Sequence, residues 1–195
     1  MDNIRIDHKY ILEMIKPNSS VLDLGCGDGT LLSYLKMRKN CRVTGIEIDE
    51  KLIYKCVERG VTVSHGDVDS GLRDYSDKRF DYVILNESLQ EILHPEKVIL
   101  EALRVGKKVI VGIPNFCNIS ARLQIFFLGK VPVTSGLPYT WYNTPNLRFL
   151  SIKDFREFCK ARHITIEREH AIGSANEVFI WRNLFADTSI FLIQK

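Results

Sequence analysis

Between Val21 and Thr30 the chain reads VLDLGCGDGT, an apolar strand pattern that runs straight into three glycines spaced by single residues and then into a helical pattern. Few local structures accommodate that order. Glycine fits where the backbone takes positive φ or where a ligand approaches the main chain closely, and a helix opening just beyond presents unpaired N–H groups to that ligand. The segment predicts a nucleotide-type cofactor site contacted by Gly25, Gly27 and Gly29, with Asp23 at the strand end. The third glycine falls one residue earlier than in the dinucleotide fingerprint GxGxxG, whose helix N-terminus cradles a pyrophosphate, so a cofactor without phosphates is favoured. Glycine turns also occur as bare strand-to-helix connections, and the rest of the chain has to separate the two readings.

Strand-like and helix-like segments alternate for most of the length, the pattern of an α/β fold with a mostly parallel sheet and helices on both faces. The strand candidates are SVLDLG, CRVTGIEID, VTVSHGD, FDYVILN and KKVIVGIP, followed late in the chain by ITIEREH and SIFLIQ. Helices are predicted around Tyr10 to Ile15, through Leu31, Leu32 and Leu35, through Leu52, Ile53, Cys56 and Val57, through Val98, Ile99, Ala102 and Leu103, and near Ile152 to Arg162. At 195 residues, one domain spanning 1–195 is expected. Residues 118–146 break the alternation. There ISARLQIFFLG is apolar all round, more than a single core-facing stripe can cover, and PVTSGLPYTWYNTP follows it. This stretch reads as an insertion acting as a lid or a partner-binding element, with Tyr139, Trp141 and Tyr142 capping a pocket or sitting at an interface.

In a doubly wound sheet, ligands bind outside the carboxyl ends of the strands. The second strand candidate ends in GIEID, placing Glu47 where a carboxylate can accept the hydroxyls of a ribose, with Ile48 next to it. The third ends in HGD, placing Asp67 near an adenine and Val68 beside the ring, and the fourth leaves Asn86 to Gln90 at the mouth of the site. Four such features in order, DLGCGDG, the acid closing the second strand, the GD pair and FDYVILNESL, resemble the class I S-adenosylmethionine-dependent methyltransferases. The resemblance implies a Rossmann-like sheet of seven mostly parallel strands, with the glycine loop against the methionine and ribose portions of S-adenosylmethionine or S-adenosylhomocysteine. By the same resemblance Glu47 holds the ribose hydroxyls and Asp67 contacts adenine.

A narrower resemblance, to the methionine biosynthesis protein MetW family, extends over nearly the whole chain. It is carried above all by RLQIFFLGKVPVTSGLPYTWYNTPN, where methyltransferases in general share no fixed pattern. It implies a role beside a homoserine O-acyltransferase, an acetyl- or succinyltransferase, as a partner that supports its activity.

Candidate bases for methyl transfer are Glu87, Glu91 and His94, and each also fits a helix surface. The NPPY-type signature of base-amino methylation is absent after the fourth strand, and a net charge of +3 is small for a nucleic-acid footprint; no nucleic-acid partner is expected. The five cysteines are widely spaced without CxxC or ligand-spaced histidines, so they are expected to be reduced and no metal site is predicted. No apolar run approaches the ~20 residues of a bilayer span, and MDNIRIDHKY lacks the apolar core of a secretory signal, so no membrane contact and a cytoplasmic location are expected. Two function classes stand: a cofactor-responsive partner subunit, which the insertion favours, and a small-molecule methyltransferase.

Overall fold

Successive side chains of β1 (Ser20–Leu24) and β4 (Phe80–Asn86) enter two different core clusters. Val21, Tyr82 and Ile84 join one, and Leu22, Leu24, Val83 and Leu85 the other. Strands apolar on both faces require helices on both faces. In the computed structural model, which describes residues 4–70, 72–174 and 176–195, α1 (Ile6–Met14), α2 (Thr30–Lys39) and α3 (Glu50–Glu58) cover the first face, through Ile11, Leu32, Leu35 and Cys56. On the second face, α4 (Pro95–Val105) and α6 (Ile152–Ala161) pack Ile99, Leu103 and Phe155 against the sheet.

The sheet adds β2 (Arg42–Glu47), β3 (Thr62–His65), β5 (Gly106–Pro114), β6 (Thr165–Ile172) and β7 (Thr188–Gln194), in the order β3-β2-β1-β4-β5-β7-β6. Pairings from β3 across to β5 are parallel, while β7 runs antiparallel to both of its neighbours. Seven mostly parallel strands with helices on both faces is the architecture expected from the sequence. Chain order reverses between β1 and β4, where Asp23 lies in register with Gly45 on one side and Ile84 on the other. That switch point is where a sheet of this kind opens a crevice for ligand.

Helix α1 starts earlier than the apolar spacing indicates, at Ile6, because its first turn turns two polar residues inward, Asp7 and His8, both buried. A four-residue helix, α7 (Arg182–Phe185), also appears between β6 and β7. Helix α5 (Ile119–Leu128) is capped by Asn118, whose side chain accepts from the Ala121 N–H at 2.8 Å. Of its residues only Ala121 is buried, and Phe126 and Phe127 remain 80% and 70% exposed. The segment after it is tied down at separate points. Ser135 Oγ donates to Asp187, the N–H groups of Leu147 and Arg148 both donate to the Gln90 carbonyl, and Phe116 N–H donates to the Leu150 carbonyl. Among the described residues, no helix is long and apolar enough to cross a membrane.

Candidate functional site

At the end of β1, Gly25, Gly27 and Gly29 all take positive φ, between 59° and 76°. The loop they form is anchored to β2, since Gly25 N–H and Cys26 N–H both donate to the Ile46 carbonyl. Glu47 completes the attachment from below. One of its oxygens accepts from Gly27 N–H at 2.8 Å and the other from Ile48 and Asp49 N–H at 2.8 and 3.0 Å. A carboxylate offers about four lone-pair sites, so three bonds leave Glu47 one for a hydroxyl. Cys26 packs beneath the loop against Cys56, Sγ to Sγ 3.8 Å. Burial, then the neighbouring Asp23, pushes its thiol far above the usual range, which suits a small filler and not a nucleophile.

The loop walls a cavity of ≈ 420 Å³ together with Arg5, His8, Asp23, Asn86 and Glu87. Asp23 is fully enclosed, and burial, then the charge of Glu47, pushes its pKa up to about 8. Its Oδ1 has no hydrogen-bond partner among the described residues, and neither has His8 Nδ1. Both side chains are more than nine-tenths buried. Unpaired buried polar atoms cost about 1–3 kcal/mol each, so a ligand that supplies hydrogen-bond donors here is rewarded. Burial and the nearby Arg5 charge, only partly offset by Asp7, hold the His8 imidazole below its usual pKa and hence neutral at pH 7.

Sequence reasoning did not single out the α1 end of this cavity. Arg5 grips Asp7 with two bonds, at 3.1 and 2.8 Å, and also pairs with Glu87. Asn86 Nδ2 in turn donates to Asp7 at 2.9 Å. Burial alone would raise the Asp7 pKa, but the Asn86 bond and the Arg5 charge outweigh it and hold the carboxylate below its ordinary value. The strand end of β4 is thereby latched to α1. Glu87 itself has φ of 55°, a left-handed conformation that is uncommon away from glycine and concentrates at functional sites.

Of the residues predicted from the sequence, Asp23, Gly25, Gly27 and Asn86 line this cavity. Gly29 instead caps the start of α2 and faces Cys56 of α3. Glu47 supports the loop from beneath. Ile48 is 61% exposed, Asp67 is exposed with one oxygen accepting from Asp69 N–H, and Val68 is half-buried against the core. These three stand at the neighbouring ends of β2 and β3, which are joined where Gly66 N–H donates to the Glu47 carbonyl.

The family model for the methionine biosynthesis protein MetW matches residues 5–193. The chain belongs to the MetW family. A bifunctional methionine biosynthesis protein MetXA/MetW from Rhodopirellula baltica is 35% identical over 175 residues; the alignment takes in 85% of this chain but only 28% of that relative's length. Solved S-adenosylmethionine-dependent methyltransferases superpose over nearly the whole chain. One from Thermotoga maritima gives a TM-score of 0.67 at 20% identity, covering 96% of this chain and 87% of that one. Another, from Archaeoglobus fulgidus, gives 0.69 at 16% identity, covering 97% and 91%. These likenesses show the class I methyltransferase fold. The MetW match takes in the α1 residues and the 118–146 segment as well as the glycine loop.

The proton-transfer candidates of this MetW-family chain separate in space. Glu87 and Glu91 line the glycine-loop cavity, whereas His94 is the exposed residue preceding α4, on a different surface hollow with Arg73. Burial, then the charges of Glu47 and Glu87, raise the Glu91 pKa above its ordinary value. The cavity edge is thus crowded with negative charge.

Proposed function

We propose that this MetW-family protein binds S-adenosylmethionine or S-adenosylhomocysteine in the glycine-loop cavity and supports a homoserine O-acyltransferase as its partner. The observation that carries the cofactor reading is the pair of enclosed, partnerless acceptor atoms, Asp23 Oδ1 and His8 Nδ1, beside a positive-φ glycine loop. An ammonium group such as that of a methionine moiety offers the donors they lack. In this reading Glu47 gives its remaining lone-pair site to a ribose hydroxyl, and Ile48, Asp67 and Val68 receive the adenine at the ends of β2 and β3. Asn86 holds the methionine end in place through its bond to Asp7.

Support for the partner role comes from two directions. The relative from Rhodopirellula baltica carries MetXA and MetW names in one chain. Helix α5 leaves Phe126, Phe127 and Leu128, and the 178–185 stretch leaves Phe179, Ile180 and Trp181, at least 62% exposed, apolar groups open to a partner's surface. Acylation of homoserine by the cognate acyltransferase, measured with and without this protein at fixed enzyme concentration, is expected to rise when it is added. An unchanged rate would remove the partner role.

Methyl transfer to a small molecule is a second reading, favoured by Glu91, an acid with raised pKa at the cavity edge and so a fitting proton acceptor. Formation of S-adenosylhomocysteine from S-adenosylmethionine with candidate acceptors tests it.

A further inference from the structure

A second cavity of ≈ 420 Å³ adjoins the first, and Arg5, Glu87, Glu91 and Tyr139 line both. Its remaining wall comes from distant parts of the chain, including Gln90, Ser135 and Asp187. Among the described residues, four carboxylates, those of Asp7, Glu87, Glu91 and Asp187, face it against one cation, Arg5. Three of these carboxylates already have hydrogen-bond partners. Asp7 is held by Arg5 and Asn86, and Glu87 by Arg5. Asp187 accepts from Asn118, Ser135 and Ser174 at 2.9 to 3.1 Å.

Two groups are left over. Glu91 forms no side-chain hydrogen bond or ion pair among the described residues. Gln90 is 5% exposed, and its Oε1 is buried with no partner. The amide cannot simply be turned around, because its Nε2 donates to the Glu87 carbonyl at 2.6 Å and an oxygen in that place would face another acceptor. The unmet demand is therefore for N–H donors and positive charge together.

We propose that this second cavity binds a small organic molecule bearing a primary or secondary ammonium group, with Glu91 balancing its charge and Gln90 Oε1 accepting one of its N–H bonds. The inference goes beyond the cofactor reading and does not depend on it, since neither leftover group is assigned to the cofactor. The shared wall sets the ammonium ligand next to whatever occupies the glycine-loop cavity.

Ligand-observed NMR and titration calorimetry on the full chain, with n-butylammonium as probe and n-butanol and butyrate as controls of similar shape, test this directly. Saturable binding of n-butylammonium alone is expected. Glu91→Gln should weaken it about five- to tenfold, as the loss of a half-exposed charge-assisted bond does. Gln90→Met, similar in volume but without the acceptor, should weaken it as well. Glu157→Gln, the same charge change on the remote face of α6, should leave it unaltered. If Gln90→Met fails to fold, the comparison of Glu91→Gln with Glu157→Gln still decides. Equal binding of n-butanol and n-butylammonium, or equal effects of Glu91→Gln and Glu157→Gln, would overturn the proposal. Titrations run with and without S-adenosylhomocysteine keep this result separate from the cofactor reading, which stands or falls on that compound's own binding.

Discussion

Asp23 carries two consequences that can be measured separately. Its ordinary pKa of 3.8 becomes about 8 in the folded protein, so between those values the folded state holds a proton that the unfolded state has lost. Stability from this group therefore falls as pH rises from about 4 to about 8 and changes no further above. Asp23→Asn keeps the shape and removes the titration. Its thermal midpoint should exceed that of the parent at pH 8.5 and differ little near pH 4. A cationic ligand that needs the carboxylate should bind more tightly as pH rises from 6 to 8 and release a proton, read by calorimetry in buffers of different ionisation enthalpy. Glu47 supplies the second residue-scale test. Glu47→Gln puts an NH2 where N–H donors now converge, and it should lower S-adenosylhomocysteine affinity by roughly 10- to 150-fold, the equivalent of about 1.5–3 kcal/mol. An unaltered affinity would reject its place in the ribose contact.

At the scale of elements, the junction of α1 with the sheet depends on a glycine that is not in the loop. A Cβ built on Gly112 of β5 would overlap Asn86 Oδ1, and Asn86 is the residue that binds Asp7 of α1. Gly112→Ala should push Asn86 away, loosen the start of α1 and destabilise the protein by about 1–3 kcal/mol. Urea unfolding and hydrogen exchange across residues 6–10 check both effects. Helix α5 predicts the opposite behaviour. Because Phe126 and Phe127 contact water and one another, edge to face at 4.9 Å, changing both to serine should shift stability by no more than about 0.5 kcal/mol. Co-purification with the acyltransferase should nevertheless fall sharply if α5 is its docking surface.

Over the whole molecule, what could be read from the chain was what is local. β1, the loop and α2 are contiguous, their apolar runs and glycines report directly on backbone geometry, and the alternation of elements gave the α/β architecture. The first turn of α1 escaped because Asp7 and His8, two polar residues, point inward to serve a site and interrupt the apolar period. Nor does any spacing announce the second cavity, whose walls join Arg5, Glu87, Ser135 and Asp187 across most of the chain. A ligand that binds only the folded form adds RT ln(1 + [L]/Kd), about 2.7 kcal/mol at one hundred times Kd. S-adenosylhomocysteine at that concentration should thus raise the thermal midpoint by several degrees, and Glu47→Gln, binding about 10- to 150-fold more weakly, should remove roughly half to nine-tenths of the gain.

The placing of β7 bears on how the protein is made. Among the described residues, β6 has no neighbour in the sheet other than β7, and β7 lies between β5 and β6 although it follows both in the chain. A ribosome therefore releases β6 with nothing to pair with, and the sheet can be closed only when residues 188–194 emerge, by sliding a strand into a gap already bordered on one side. The cavity wall formed by Ile172, Gly173, Asp187 and Thr188 is correspondingly the last part of the site to exist. A nascent chain halted before Thr188 should carry the glycine loop, yet offer proteases a bare β5 edge.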